Sequence, residues 1–302
     1  MYDIIIIGYG PAGCTAGIFA QRRGMKTLIL GDMGSLTQVE EATIIDDWPG
    51  DSEIKGIDLM EKFRKHVKKL GIEVKEERAI GARKSGKGFS VKTDKNEFQG
   101  KTLVIATGSK HRKGIVKGEN KFSGKGVSYC ATCDAPLFRG KKVAVIGGGD
   151  SAVTYALLLQ DIGAQTILIH RRDQLRAAET WQKKILKSRV KILWDSVVTE
   201  IKGGQSVKSI LVMNKKTKKV EEMLMDGVFI ALGTIPTSEI AKNIGVKLNE
   251  WGFITVDKEQ KTNIAGVFAA GDCCDNPSKK IVTAAADGAI AADSAYQLLK
   301  KE

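Results

Sequence analysis

The 302-residue sequence has no apolar run long enough to cross a bilayer. Its longest runs, such as Ile4-Ile5-Ile6-Ile7, fall far short of the roughly 20 residues that a spanning helix needs. The N-terminus starts almost directly on that run, with no basic segment or small-residue cleavage site ahead of it, so no export signal is read. A cytoplasmic protein with no membrane association is expected. Only one Cys-x-x-Cys occurs among the 5 cysteines, so no second ligand pair exists to complete a zinc site, and no metal is expected. The net charge of +13 comes without a basic arm or a zinc-finger, homeodomain or RRM signature. Its lysines are dispersed in pairs such as Lys68-Lys69, Lys141-Lys142, Lys183-Lys184 and Lys215-Lys216, which argues for a solvated surface or an acidic protein partner and against nucleic acid.

What is present fits a soluble globular protein of about two domains, with 42% hydrophobic and 27% charged residues. The 33 glycines exceed the average share and suit many tight strand-to-helix turns.

The first such turn is Gly8-Tyr9-Gly10-Pro11-Ala12-Gly13, a G-x-G-x-x-G pattern. It follows the apolar strand Ile4–Ile7 and precedes a helical stretch, 15–23, and a second buried strand, 27–30. This is the context a dinucleotide-binding turn requires. Gly8 makes the tight turn, Gly10 lets backbone approach a pyrophosphate, and Gly13 lets helix and strand pack closely. Asp32, 19 residues after Gly13, lies near where a carboxylate holds an adenosine ribose, although Gly31 occupies the strand end itself. An amphipathic helix is expected over 57–70, short strands over 72–104, and an apolar strand closing on Thr107-Gly108. Residues 110–117 read as a linker.

Cys130-Ala131-Thr132-Cys133-Asp134 is the chemical centre of the sequence. Two thiols at this spacing can close a small disulfide and exchange two electrons. Asp134 followed by Pro136 reads as a helix start, which favours a thiolate nearby. Without an export signal a purely structural disulfide is disfavoured. The pattern alone leaves open two buried spectator cysteines.

Residues 142–170 repeat the opening. A strand over 143–146 leads into Gly147-Gly148-Gly149-Asp150-Ser151-Ala152, a G-x-G-x-x-A turn, then a helix over 151–159 and a strand over 166–169. The strand 228–232 with Gly233 echoes the one ending at Gly108. Two nucleotide sites imply two cofactors, or a cofactor and a cosubstrate. At the second site His170-Arg171-Arg172, with Arg176 beyond, stands where an acid would hold a 2′-hydroxyl. Guanidinium groups pair with phosphate, so NADPH is expected over NADH. Residues 234–240 read as a return linker and 253–270 as short strands ending at Gly271-Asp272, whose carboxylate can hold a ribityl hydroxyl. A final helix is expected over 282–299. Cys14 reads as a packed small hydrophobe, and Cys273-Cys274 as two free thiols.

Taken together, Gly8–Gly13, Trp48-Pro49-Gly50, Ala106-Thr107-Gly108-Ser109, Cys130–Asp134, Gly147–Ala152, His170–Arg176 and Gly271-Asp272 resemble low-molecular-weight thioredoxin reductases, end to end and in order. The resemblance implies an α/β protein of two Rossmann-like, three-layer ββα nucleotide-binding domains, the second inserted into the first. An FAD domain would comprise 1–113 and 240–302, and an NADPH domain carrying the dithiol 114–239. Gly8, Gly10, Pro11, Ala12, Gly13, Gln38, Thr107 and Asp272 would contact FAD. Gly147, Gly149, Asp150, Ser151, Ala152, Arg171, Arg172 and Arg176 would contact NADPH. In such enzymes hydride passes from NADPH to the flavin, whose electrons reduce the disulfide. Cys133 would face the flavin, Cys130 would attack a thioredoxin or glutaredoxin-like partner, and Asp134 would handle the proton. A homodimer is also implied.

The chain departs from the family pattern at Leu36-Thr37 before Gln38, at Asp47, and at Lys280-Ile281 in place of an Arg-Gln pair. Relatives that reduce another carrier lack the dithiol, and hydroperoxide-reductase flavoproteins carry an extra N-terminal domain. A flavin-loaded sensor or nucleic-acid binder would instead show steeply salt-dependent binding.

Overall fold

The computed structural model describes residues 1–32, 34, 36–42, 44–51 and 53–301. The chain divides into two compact units, one of Met1–Glu40, Ile44–Lys110 and Ile235–Glu302, the other of Glu41–Thr43 and His111–Thr234.

The first unit opens with β1 (Tyr2–Ile7), α1 (Pro11–Arg22), β2 (Thr27–Leu30), α2 (Gly56–Lys69) and β3 (Glu73–Lys75). Strands β4 (Ala79–Ser85), β5 (Gly88–Thr93) and β6 (Glu97–Ile105) follow, and the chain leaves through β7 (Ser109–His111). The sheet order is β3-β2-β1-β6-β5-β4. Strands β1, β2, β3 and β6 are parallel, and β4–β5–β6 is an antiparallel meander. The isoleucine run does not alternate because both faces of β1 are covered. Ile4 and Ile6 enter one core cluster, with α1 and the C-terminal helix, while Ile5 and Ile7 enter another.

The second unit contains α3 (Glu119–Phe122), β8 (Val127–Ser128), α4 (Ala131–Asp134), a 3-10 turn (Ala135–Phe138), β9 (Lys142–Gly147), α5 (Asp150–Asp161) and β10 (Gln165–Ile169). After α6 (Glu179–Leu186) come β11 (Lys191–Leu193), β12 (Ser196–Gly203), β13 (Val207–Asn214), β14 (Val220–Leu224) and β15 (Gly227–Ala231). Its parallel sheet runs β11-β10-β9-β15-β8, and β12-β13-β14 form a separate antiparallel sheet. Both units are Rossmann-like, so the expected fold class holds.

The chain returns through β16 (Thr234–Pro236) and α7 (Glu239–Asn243) to β17 (Val267–Ala269), which pairs parallel with β6, and α8 (Ile281–Lys300). Helix α8 lies hard against α1: a Cβ on Gly288 would fall 2.1 Å from the Ala12 carbonyl oxygen.

Several expectations need correction. Helix α1 begins at Pro11 rather than Thr15, because proline suits a first helical position and Gly10 is extended as its N-cap. Among 253–270 only β17 is a strand; the rest makes single bridges such as Leu248–Ile254 and Lys261–Phe268. The stretch 110–117 is where the chain passes between the units, at Lys110–His111, and it is ordered: the buried Glu119 carboxylate accepts the N–H groups of Gly114, Ile115 and Val116 at 2.7–3.0 Å. Residues 234–240 hold β16 and the start of α7.

Candidate redox and nucleotide-binding sites

The first glycine turn is built by positions that exclude a side chain and one that leaves room. Gly8 has φ of 123°, and a Cβ there would lie 2.1 Å from the Ala106 carbonyl oxygen. A Cβ on Gly13 would lie 2.0 Å from the Gly8 carbonyl oxygen. A Cβ on Gly10 would meet nothing within 4 Å. Gly10 also caps a 12-residue helix without any side-chain cap bond, so the first N–H groups of α1 are left for an outside acceptor. Open space at an uncapped helix N-terminus is what a pyrophosphate requires. Pro11 and Ala12 are buried behind the turn.

Other candidates of this unit converge on the same turn. Thr107 and Gly108 follow β6 beside Gly8, and the Thr107 hydroxyl donates to the Thr237 carbonyl. A Cβ on Gly271 would lie 3.0 Å from Ala12 Cβ, which places Gly271-Asp272 against the start of α1. Burial pushes the Asp272 carboxyl up, Lys279 opposes this, and the negative Asp287 adds to it. The Gln38 amide donates to the carbonyl and hydroxyl oxygens of Ser109 at 2.6 and 2.7 Å, so it braces the segment after Thr107-Gly108. Asp32 is exposed and accepts the Gly34 N–H at 2.9 Å.

Two residues of this unit escaped the sequence reading. Asp287 in α8 accepts from Gly271 N–H at 3.2 Å, Asn276 Nδ2 at 2.8 Å and Gln260 Nε2 at 3.1 Å, and so fixes the turn that carries Asp272. Glu40 is buried, binds Arg64 through two guanidinium contacts at 2.7 and 3.1 Å, and accepts from Thr37; the Arg64 guanidinium lies 5.3 Å from the Tyr9 ring centroid. No local sequence pattern announces either, since apart from Thr37, 3 residues from Glu40, the partners are 11 to 27 residues away.

The second glycine turn repeats the first. A Cβ on Gly147 would lie 2.5 Å from the Ala231 carbonyl oxygen and 2.7 Å from Ala152 Cβ, whereas one on Gly149 would meet nothing within 4 Å. Gly149 too caps a 12-residue helix with no side-chain bond. Ala152 is fully buried and Ser151 exposed. Asp150 accepts the Ala178 N–H at 2.7 Å.

His170, Arg171, Arg172 and Arg176 divide into two roles. His170 is buried, with ring nitrogens 2.9 Å from the Gly147 carbonyl oxygen and 3.0 Å from that of Gln174. Its ring would lie 2.2 Å from a Cβ on Gly148. Burial pushes its pKa down, against the two carbonyls that favour the charged form. It therefore clamps the glycine turn, packed against Gly148 with a ring N–H donated to one of the two carbonyls. The three arginines are exposed, and the Arg176 N–H donates to the Gly148 carbonyl.

Cys130 and Cys133 form a disulfide. The helix start expected at Asp134–Pro136 lies earlier: α4 begins at Ala131, Cys130 is its N-cap, and Cys130 Sγ accepts the Cys133 N–H at 3.1 Å. Pro136 instead falls in the following 3-10 turn, and Asp134 ends α4 half-buried. Ser128 Oγ accepts the Cys130 N–H at 3.1 Å and donates to the Cys130 carbonyl at 3.2 Å. Cys130 is 9% exposed whereas Cys133 is exposed. Cys14, Cys273 and Cys274 are free and buried, as expected.

A family model described as pyridine nucleotide-disulphide oxidoreductase matches residues 2–288. Thioredoxin reductase of Peptoclostridium acidaminophilum is 37% identical over 99% of this chain and 98% of its own length. The crystal structure of Lactococcus lactis thioredoxin reductase superposes with a TM-score of 0.96 at 39% identity, covering 100% of both chains. That of T. acidophilum thioredoxin reductase gives 0.94 at 32% identity and 98% coverage of each.

Proposed function

The chain belongs to the pyridine nucleotide-disulphide oxidoreductase family, and on that premise we propose that it is a thioredoxin-disulfide reductase of the EC 1.8.1.9 type, driven by NADPH through FAD. Flavin and nicotinamide use follows from the family; FAD, the phosphorylated nucleotide and the assignment of each to its unit are our reading. The carrying observation is the Cys130–Cys133 disulfide in a chain with two open, uncapped glycine turns.

The turn Gly8–Gly13, with Gln38, Thr107, Gly108, Gly271 and Asp272, would hold FAD, and Asp32 its adenosine end. The turn Gly147–Ala152 would hold the NADPH pyrophosphate, and Arg171, Arg172 and Arg176 the 2′-phosphate, with His170 as their positioning residue. When bound, these two groups supply the hydride and electron transfer that side chains lack. The segments 1–113 with 240–302 and 114–239 are proposed as the two cofactor domains.

Exchange with thioredoxin follows from the reduced pair. The Cys133 N–H aimed at Cys130 Sγ stabilises a thiolate there, so Cys130 is the nucleophile. It attacks one sulfur of the partner disulfide, forms a mixed disulfide and releases the other sulfur as thiolate. Cys133 then loses its proton to Asp134 and attacks Cys130 Sγ. This restores the Cys130–Cys133 bond and releases the second partner thiolate. Two protons are taken up by the two partner thiols, so the exchange balances. The exposure of Cys133 suits its access to a reductant, whereas Cys130 must be uncovered when the partner docks.

A homodimer in the cytoplasm completes the proposal. Among the described residues no helix is long and apolar enough to cross a membrane. Anaerobic titration of the FAD-loaded protein with NADPH and with NADH tests the reading. Bleaching of the flavin at lower NADPH than NADH supports it; bleaching by neither nucleotide overturns it.

A further inference from the structure

The sulfur assigned as the nucleophile is placed by a residue two positions before it. Ser128 ends β8, is 5% exposed, and stands in register with the fully buried Phe229 of β15. From that anchored position its hydroxyl meets both backbone groups of Cys130. It accepts the N–H at 3.1 Å and donates to the carbonyl at 3.2 Å.

These bonds fix the two peptide planes on either side of the Cys130 Cα. The plane before it is held at both ends, because the Tyr129 carbonyl accepts the Tyr155 hydroxyl at 3.1 Å while the Cys130 N–H goes to Ser128. The plane after it is held through the Cys130 carbonyl, which also accepts the Asp134 N–H at 3.2 Å. Cys130 thereby has φ of −126° and ψ of 99°, and its Sγ accepts the Cys133 N–H at 3.1 Å. None of the bonds that set the backbone involves a sulfur, so opening the disulfide removes none of them. All the partners lie between residues 128 and 229, inside the segment proposed to carry the dithiol.

We propose that Ser128 is a positioning residue for Cys130: its hydroxyl holds the Cys130 backbone so that the reduced sulfur keeps the Cys133 N–H as its donor. A hydrogen bond to the charged form favours that form. The Cys130 thiol is then more acidic than it would be on a loose turn, and more of it is thiolate at neutral pH. Thiolate population grows faster than its intrinsic nucleophilicity falls, so attack on a partner disulfide gains speed. That gain rests on the thioredoxin-reducing reading; the acidity does not.

The first measurement reads the ionisation of Cys130 alone. C133S keeps the backbone N–H of residue 133 and leaves Cys130 as the one thiol of the pair. Its thiolate absorbance in the ultraviolet is followed from about pH 5 to about pH 10. C130S/C133S serves as the blank for the other thiols and the tyrosines. S128A in the C133S background should raise the titration midpoint by at least about 0.5 pH unit. S128T, which restores a hydroxyl, should return it to the C133S value. The second measurement is thioredoxin reduction by the FAD-loaded enzyme with Cys133 intact. S128A should lower kcat/KM for oxidised thioredoxin several-fold at neutral pH, and the gap should close as pH rises above both midpoints. Flavin reduction by NADPH should not change.

A midpoint that S128A leaves unmoved or lowers would overturn the proposal, even where urea denaturation shows a loss of stability. So would a midpoint that S128T fails to restore. A wild-type protein that reduces no thioredoxin, while S128A still raises the midpoint, would overturn the functional reading and support this one.

Discussion

The backbone N–H of Arg176 donates to the carbonyl of Gly148 at 2.7 Å, which ties the last arginine of the basic cluster to the second glycine turn itself. Ala177 N–H reaches the same carbonyl at 3.2 Å, and His170 lies against Gly148 from the other side. The cations are therefore presented beside the turn proposed to hold the pyrophosphate, as the proposed contact with a 2′-phosphate requires.

Removing two of them should change nucleotide choice more than catalysis. A charge-assisted bond is worth about 1.5–3 kcal/mol, or about 10- to 100-fold in affinity. R171A/R176A should raise KM for NADPH by at least about tenfold and leave KM for NADH within about twofold. Steady-state kinetics with both nucleotides checks this; equal losses for the two would show that the arginines do not read the phosphate.

The glycines of the first turn separate folding from cofactor binding. Gly8→Ala places a Cβ 2.1 Å from the Ala106 carbonyl at a φ of 123°, so the expected outcome is a protein that is poorly folded as well as flavin-free. Gly10→Ala meets no protein atom within 4 Å, and its Cβ falls only in the open space proposed for the FAD phosphates. It should melt within a few degrees of the wild-type apoprotein yet bind FAD at least about tenfold more weakly. Calorimetry beside flavin titration distinguishes the two.

These turns were legible in the sequence because their constraints are local. Each glycine's role depends on the adjoining strand and helix, and the strand–turn–helix pattern is continuous along the chain. The dithiol was legible as a pair, but its helix start was misplaced. Pro136 drew the boundary forward, whereas the Cys130 sulfur itself caps the helix by accepting from Cys133. The antiparallel sheet β12–β14 went unread beside the louder nucleotide-binding pattern. Contacts such as Glu41 with His111, 70 residues apart, exist only once the fold brings their segments together.

Glu119 is the acceptor for a whole turn. It is fully buried and takes three backbone N–H groups and the Tyr129 hydroxyl. E119A leaves the buried Val116 N–H and the half-buried Tyr129 hydroxyl without their acceptor, at about 1–3 kcal/mol each, and frees the N–H groups of the exposed Gly114 and Ile115. Urea denaturation should show a loss of at least about 2 kcal/mol; a loss below about 1 kcal/mol would mean that the Val116 N–H and the Tyr129 hydroxyl are free to reach water.

Glu40 makes stability depend on pH. Burial raises its carboxyl, but the Arg64 guanidinium and the Thr37 N–H and hydroxyl outweigh that and hold it below the ordinary glutamate value of 4.5. A carboxyl whose folded value is depressed stabilises the fold fully above its unfolded value, and that contribution is lost as pH falls through the folded one. The stability gap between wild type and E40Q should therefore be constant from neutral pH down to about 5 and narrow below about 4.5. Denaturation midpoints of both proteins across that range check it, and a gap that widens in acid would reverse the assignment.

Trapping the exchange intermediate tests the account most directly. C133S, reduced and mixed with oxidised thioredoxin, should accumulate a mixed disulfide through Cys130, visible by mass as one adduct per chain, because the thiol that resolves it is gone. C130S should accumulate none. An adduct on C130S instead, or no adduct on either variant, would contradict the assignment of Cys130 as the sulfur that passes electrons to thioredoxin.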